Sequence, residues 1–149
     1  MTGEPLERRV ELRCSAAHAF AVFTGCIDAW WPPSHRRFDR SELRLEPRVG
    51  GRFYERSESG EEARLGEVLR WDPPRRVTYT WYPGAITEPT EVDVRFAPHG
   101  DHCLVEVTHA EGRSGLGDAW PQRVALFGRA WDHVLPTFVA FVHANPEAP

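Results

Sequence analysis

The chain has 149 residues, 41% of them hydrophobic and 27% charged, with a formal net charge of −4. A chain of this length suits one domain with its own core, and no apolar run nears the ~20 residues of a membrane-spanning helix. All 18 basic residues are arginines scattered among 22 acids, which is not the basic face of a nucleic-acid binder. Cys14, Cys26 and Cys103 lack CxxC spacing and read as reduced thiols rather than disulfide partners or zinc ligands. The polar, charged stretch Met1–Val10 carries no secretion signal, so the expected location is the cytoplasm. The lysine-free composition fits the codon bias of a GC-rich bacterial genome.

In chain order, Arg8–Arg13 alternates polar and apolar residues and predicts a half-buried strand. Ser15 is placed to cap a short helix over Ala16–Thr24, with Phe20 and Phe23 on its apolar side and Gly25 as its stop. Cys26–Trp31 predicts a further helical turn closed by Pro32-Pro33, and Ser34–Arg40 an arginine-rich loop. From Glu42 the period becomes two. Strands are predicted at Glu42–Glu46, Arg52–Arg56, Ala63–Trp71, Val77–Trp81, Glu91–Ala97 and Cys103–His109. Turns fall at Gly50-Gly51, Ser59-Gly60, Pro73-Pro74, Pro83-Gly84 and Pro98–Asp101. Last comes Asp118–His143, where Trp120, Val124, Phe127, Trp131, Leu135, Phe138 and Val142 form one apolar stripe of a long helix. Asp118 is the expected N-cap, Pro121 is tolerated in the first turn, and Asn145-Pro146 ends the helix.

Short links between strands imply antiparallel neighbours, because parallel pairs need long crossovers. Strands in series with helices at the ends make an α+β plan. Curling the sheet around the long helix would bury its stripe, with Gly50, Gly51 and Gly66 as places for bends and bulges.

Several stretches then resemble a known group. Gly50-Gly51-Arg52-Phe53, the run Gly66–Trp81, Val105–His109, the Trp30-Trp31 pair and Ala130–Leu135 are similar to the SRPBCC, or START-like (Bet-v-1-like), superfamily. The closest likeness is to the C-terminal domain of the activator of the 90-kDa heat-shock-protein ATPase. The resemblance covers roughly Val10 to Asn145 and implies a helix-grip fold in a single domain with its core at about residues 8–145. In that fold a curved antiparallel sheet of six to seven strands holds the long C-terminal helix, two short helices follow the first strand, and a cavity lies between sheet and helix. The group usually has Gly-Trp where this chain has Ala130-Trp131, and Pro136 interrupts the helix interior.

Each aromatic residue, taken singly, is accounted for by core packing. Together, Trp30, Trp31, Phe53, Trp71, Tyr79, Trp81, Phe127 and Trp131 exceed what such a core needs, and with the implied cavity they suggest a site for a small hydrophobic or aromatic ligand, with all but Trp71 as candidate contacts. His109 shares parity with Cys103, Val105 and Val107 and should point inward, either satisfied within the fold or free to bond a ligand or transfer a proton. Glu55 shares parity with Phe53 and is a second candidate inward polar group, with a solvated strand end as its alternative. Ser34–Arg40 reads as a solvated loop, a lid near the cavity mouth or an anion contact. No GxSxG elbow, P-loop or GxGxxG occurs, and His99, Asp101 and His102 are too sparse for a metal site, so no cofactor or metal is expected. Three functions remain open. They are a hydrophobic-ligand binder, an enzyme of the polyketide cyclase, aromatase or hydrolase kind with His109 as acid/base, and a chaperone-cofactor-like interaction module. Exposed strand edges make a homodimer the default oligomer.

Overall fold

The computed structural model describes residues 4–82 and 88–147, and the turn expected at Pro83-Gly84 lies outside them. β1 (Leu6–Leu12) leads into α1 (Ala16–Gly25), α2 (Ile27–Trp30) and a 3-10 turn at Pro33–His35. Six more strands follow: β2 (Ser41–Leu45), β3 (Arg52–Ser57), β4 (Glu62–Asp72), β5 (Arg76–Trp81), β6 (Thr90–His99) and β7 (His102–Ala110). A second 3-10 turn at Gly117–Ala119 opens α3 (Trp120–Ala144). The seven strands form one antiparallel sheet in the order β1-β7-β6-β5-β4-β3-β2. β2 to β7 are joined neighbour to neighbour, and only the helical excursion after β1 crosses from one edge of the sheet to the other. The sheet curls into a half-barrel around α3, the α+β arrangement expected.

The curl has a local cause in β4. Its pairing skips Leu65 opposite Phe53/Tyr54 and skips Leu69 opposite Tyr79/Thr78, so two bulges bend one strand. Between them, Gly66 passes so close to β5 that a Cβ there would sit 1.7 Å from the Thr80 carbonyl oxygen. No side chain fits at that crossing.

Ser15 caps α1 as its position predicts, its hydroxyl accepting from the His18 amide at 3.1 Å. Asp118 does not cap α3: it falls inside the preceding 3-10 turn, and Ala119 occupies the cap position without a side-chain bond. The expected stripe on α3 is buried except for half-exposed Val124, and Gly128 and Val134 join it. At Gly128 the β1 side chain of Arg8 crosses the helix: a Cβ there would lie 2.8 Å from Nη2, the movable end of that side chain. That guanidinium continues to Asp132, at 2.8 Å, and pins the sheet edge to the helix.

Under α1 and α2 the core is aromatic. Phe23, Trp30 and Phe138 pack at centroid distances of 5.0–5.3 Å, and the Trp30 indole N–H donates to the Val22 carbonyl at 3.1 Å. Trp30 is therefore a core residue, consistent with the burial of both its faces and its polar tip.

Candidate ligand cavity between the sheet and the long helix

A small, partly open cavity of about 70 Å³ lies between β5 and the middle of α3. Its lining is Trp31, His35, Tyr79, Trp81, His109, Phe127, Ala130, Trp131 and Val134. Strand alternation explains three of these residues: Tyr79 and Trp81 share a face of β5, and His109 extends the inward row of β7. Helical period explains four more, because positions 127, 130, 131 and 134 fall on one side of α3, and Trp31 and His35 come from the end of α2 and the 3-10 turn after it. A larger open groove of about 590 Å³ runs between α1, α2 and β2, but it is a surface depression outside the sheet–helix interface.

Six of the expected site residues converge on the cavity: Trp31, Tyr79, Trp81, His109, Phe127 and Trp131. Three do not line it. Trp30 lies in the core described above. Phe53 stands behind the wall, packed edge-on against Tyr79 at 5.2 Å and Trp31 at 6.1 Å. Glu55 is buried but turned to the loop: its carboxylate accepts from the amides of Arg37 (3.0 Å) and Phe38 (2.9 Å) and from Ser41 Oγ (2.8 Å). With these three donors aimed at it, Glu55 anchors the chain that carries Trp31 and His35. On the other side of the loop, Arg36 bonds Asp28 at 2.6 Å and the carbonyls of Trp31 and Ser41.

His109 is fully committed. Trp131 Nε1–H donates to its Nδ1 at 3.1 Å, so Nδ1 carries no proton. The proton of the neutral ring is then on Nε2, which faces Thr90 Oγ1 at 2.8 Å, and Thr90 in turn donates to the Trp81 carbonyl at 3.0 Å. The ring also stacks on Phe127, with centroids 4.3 Å apart. Burial pushes its pKa from 6.5 down to about 3. A histidine neutral at physiological pH, with both nitrogens bonded to protein, is a tie between α3, β6 and β7 rather than a free acid or base.

Tyr79 is the opposite case. It is wholly buried, and its hydroxyl has no hydrogen-bond partner among the described residues. Burial raises its pKa, so the phenol keeps its proton and is a buried donor on a residue of the cavity wall. Thr90 and His133 were not among the sequence candidates, whereas Ser34 and His35 fall in the Ser34–Arg40 stretch expected as a solvated loop, a lid near the cavity mouth or an anion contact. Thr90 had a signal, since it has the parity of Val92 and Val94 one pair earlier on β6. The contact between His35 and His133 had none, because it joins positions 98 residues apart. No group of three metal-ligating side chains occurs among the described residues.

A sequence model described as Activator of Hsp90 ATPase homolog 1-like protein matches residues 13–142. The chain belongs to that family. Among solved structures similar to this family member, an anthrahydroquino-γ-pyrone synthase, Txn09, is 34% identical, with 84% of this chain and 88% of that one covered at a TM-score of 0.56. CalU16 from Micromonospora echinospora is 23% identical over 95% of this chain and 75% of its own, at a TM-score of 0.67. An Hsp90 activator from Plasmodium falciparum is 17% identical over 98% and 100%, at 0.66. At those identities the last two show the fold alone. No curated protein matches the chain.

Proposed function

We propose that this protein binds a small planar aromatic molecule bearing an oxygen acceptor in the cavity between β5 and α3. One observation carries the reading: the buried, protonated and unpartnered Tyr79 hydroxyl in an aromatic lining. A buried donor left unpaired costs about 1–3 kcal/mol, and a ligand carbonyl or ether oxygen would remove that penalty. Indole and phenyl faces of Trp31, Trp81, Phe127 and Trp131 supply stacking surface for a ring. At about 70 Å³ the cavity is well below the ~300–1,000 Å³ of typical ligand sites, so a bicyclic ligand must displace part of the wall.

The test is titration of the wild type with methyl 2-naphthoate, followed by tryptophan fluorescence. Saturable binding is expected, weakened roughly 5- to 100-fold in Tyr79→Phe. Absence of saturable binding to folded protein, or equal affinity in the variant, would overturn the reading.

The 34% identity to a γ-pyrone synthase over 84% of the chain favours a second reading, ring closure on the same bound molecule. Tyr79 would then donate to a ketone oxygen and stabilise the charge that develops there. Incubation with an aromatic β-diketone followed by mass spectrometry tests it. A bound but unchanged diketone would sink the enzyme and leave the binder.

A further inference from the structure

At the outer edge of the cavity, three polar side chains from two elements meet. His35, in the 3-10 turn, lines the cavity and stacks on His133 of α3, with centroids 4.9 Å apart and rings 20° from parallel. Ser34 Oγ lies 2.9 Å from His35 Nδ1 and 3.3 Å from His133 Nε2. One hydroxyl proton cannot satisfy both nitrogens as acceptors, so Ser34 donates to one ring and accepts an N–H from the other. Among the described residues, His35 Nε2 and His133 Nδ1 have no hydrogen-bond partner. Ser34 and His133 are exposed and His35 is half-buried, and none of the three belongs to the hydrophobic core.

We infer that the Ser34–His35–His133 cluster is the subsite for an acidic oxygen of the ligand, a carboxylate or acidic enol, carried at the opposite end from the group that Tyr79 contacts. The inference rests on the aromatic-ligand reading above. The surrounding charges favour an anion. On α3, Asp132 is already paired with Arg8 at 2.8 Å, while exposed Arg129 stands one turn before His133. On the loop, Arg36 is paired with Asp28, Arg37 donates to the Tyr82 carbonyl, and Arg40 lies 3.8 Å from Glu58. Exposed Asp39 is the one loop carboxylate with no ion pair among the described residues. A metal ion fits less well: Ser34 occupies the point where the two ring nitrogens converge, and no third ligating side chain joins them.

Burial and then the neighbouring His133 hold the His35 pKa below its ordinary 6.5, so the His35 ring is mostly neutral near pH 7. An anion placed on it favours the protonated ring, and binding then takes up a proton. The experiment compares 2-naphthoate with its methyl ester on the wild type and on His133→Ala and His35→Gln, from pH 8 to pH 5.5. For the wild type, naphthoate should tighten as pH falls, by at most roughly tenfold per pH unit for one linked proton. The ester should be insensitive to pH, His133→Ala should flatten the naphthoate slope while leaving ester affinity within about twofold, and His35→Gln should flatten the same slope whatever it does to ester affinity. If the ester binds but naphthoate shows no pH slope, or the slope survives in both variants, the subsite is wrong and the aromatic cavity stands. If neither probe binds, the cavity reading fails and the subsite with it.

Discussion

The indole N–H of Trp131 donates to Nδ1 of His109 across 3.1 Å, inside the interface between α3 and the sheet. That one bond sets the tautomer. A doubly protonated ring would turn an N–H toward the indole N–H, so protonation must break the contact as well as bury a charge. The chain from Trp131 through His109 and Thr90 to the Trp81 carbonyl holds together the same two elements that enclose the cavity.

Acid should therefore weaken the fold through His109. Its folded pKa is about 3 and its ordinary value 6.5, so between these pH values the unfolded chain binds a proton that the folded chain refuses. Stability is then full above pH 6.5 and declines as pH falls through the window, by several kcal/mol at most. Carboxylates act lower. Asp93 is pushed up by burial but pulled further down by Arg76, Thr78 and Arg95, so its contribution goes only near and below pH ~4. Urea unfolding at pH 7, 6 and 5 should show the midpoint falling in wild type and staying nearly flat in His109→Gln. Parallel slopes in the two proteins would remove His109 from the account.

Tyr79→Phe should move two properties in opposite directions. Deleting an unpartnered buried hydroxyl leaves unliganded stability unchanged or raised by about 1 kcal/mol, while aromatic-ligand affinity drops. Thermal unfolding with and without methyl 2-naphthoate reads both effects. A variant destabilised on its own would mean that the hydroxyl already has a partner.

Glu55→Gln should loosen the loop that carries His35. The amides of Arg37 and Phe38 would lose a charged acceptor, at a cost of about 2–3 kcal/mol. Hydrogen exchange at those two amides should accelerate while β5 and β6 stay protected. Unchanged protection at both sites would contradict the anchor role.

Gly66→Ala tests the curl of the sheet. With a Cβ falling 1.7 Å from the Thr80 carbonyl oxygen, β4 and β5 must separate, at about 3 kcal/mol or more. A melting temperature lower by about 10 °C is expected. A change under 2 °C would mean that the strands separate freely.

The order of the elements and the inward rows were legible in the chain, because periods of 2 and 3.6 are written in local sequence. Tyr79, Trp81, Phe127 and Trp131 share faces that alternation and helical spacing mark unaided. Side-chain partners were not legible. Glu55 has the parity of an inward residue and is indeed buried, yet three loop donors turn its carboxylate away from the cavity. His109 points inward as its parity requires, but its chemistry is decided by Trp131, 22 residues on, and by Thr90 across the sheet. Asp118 has the composition of a helix cap and lost that role to one extra turn of 3-10 helix.

By itself, then, the sequence determined which residues face the space between sheet and helix, since facing depends only on period. Tertiary structure alone decided which of them are spent on the fold. His109 and Glu55 are saturated by partners brought from distant positions, Tyr79 is left with a donor that no described residue receives, and His35 meets His133 across 98 positions. Hydrogen-bond satisfaction is a property of three-dimensional neighbours, and no spacing along the chain encodes it.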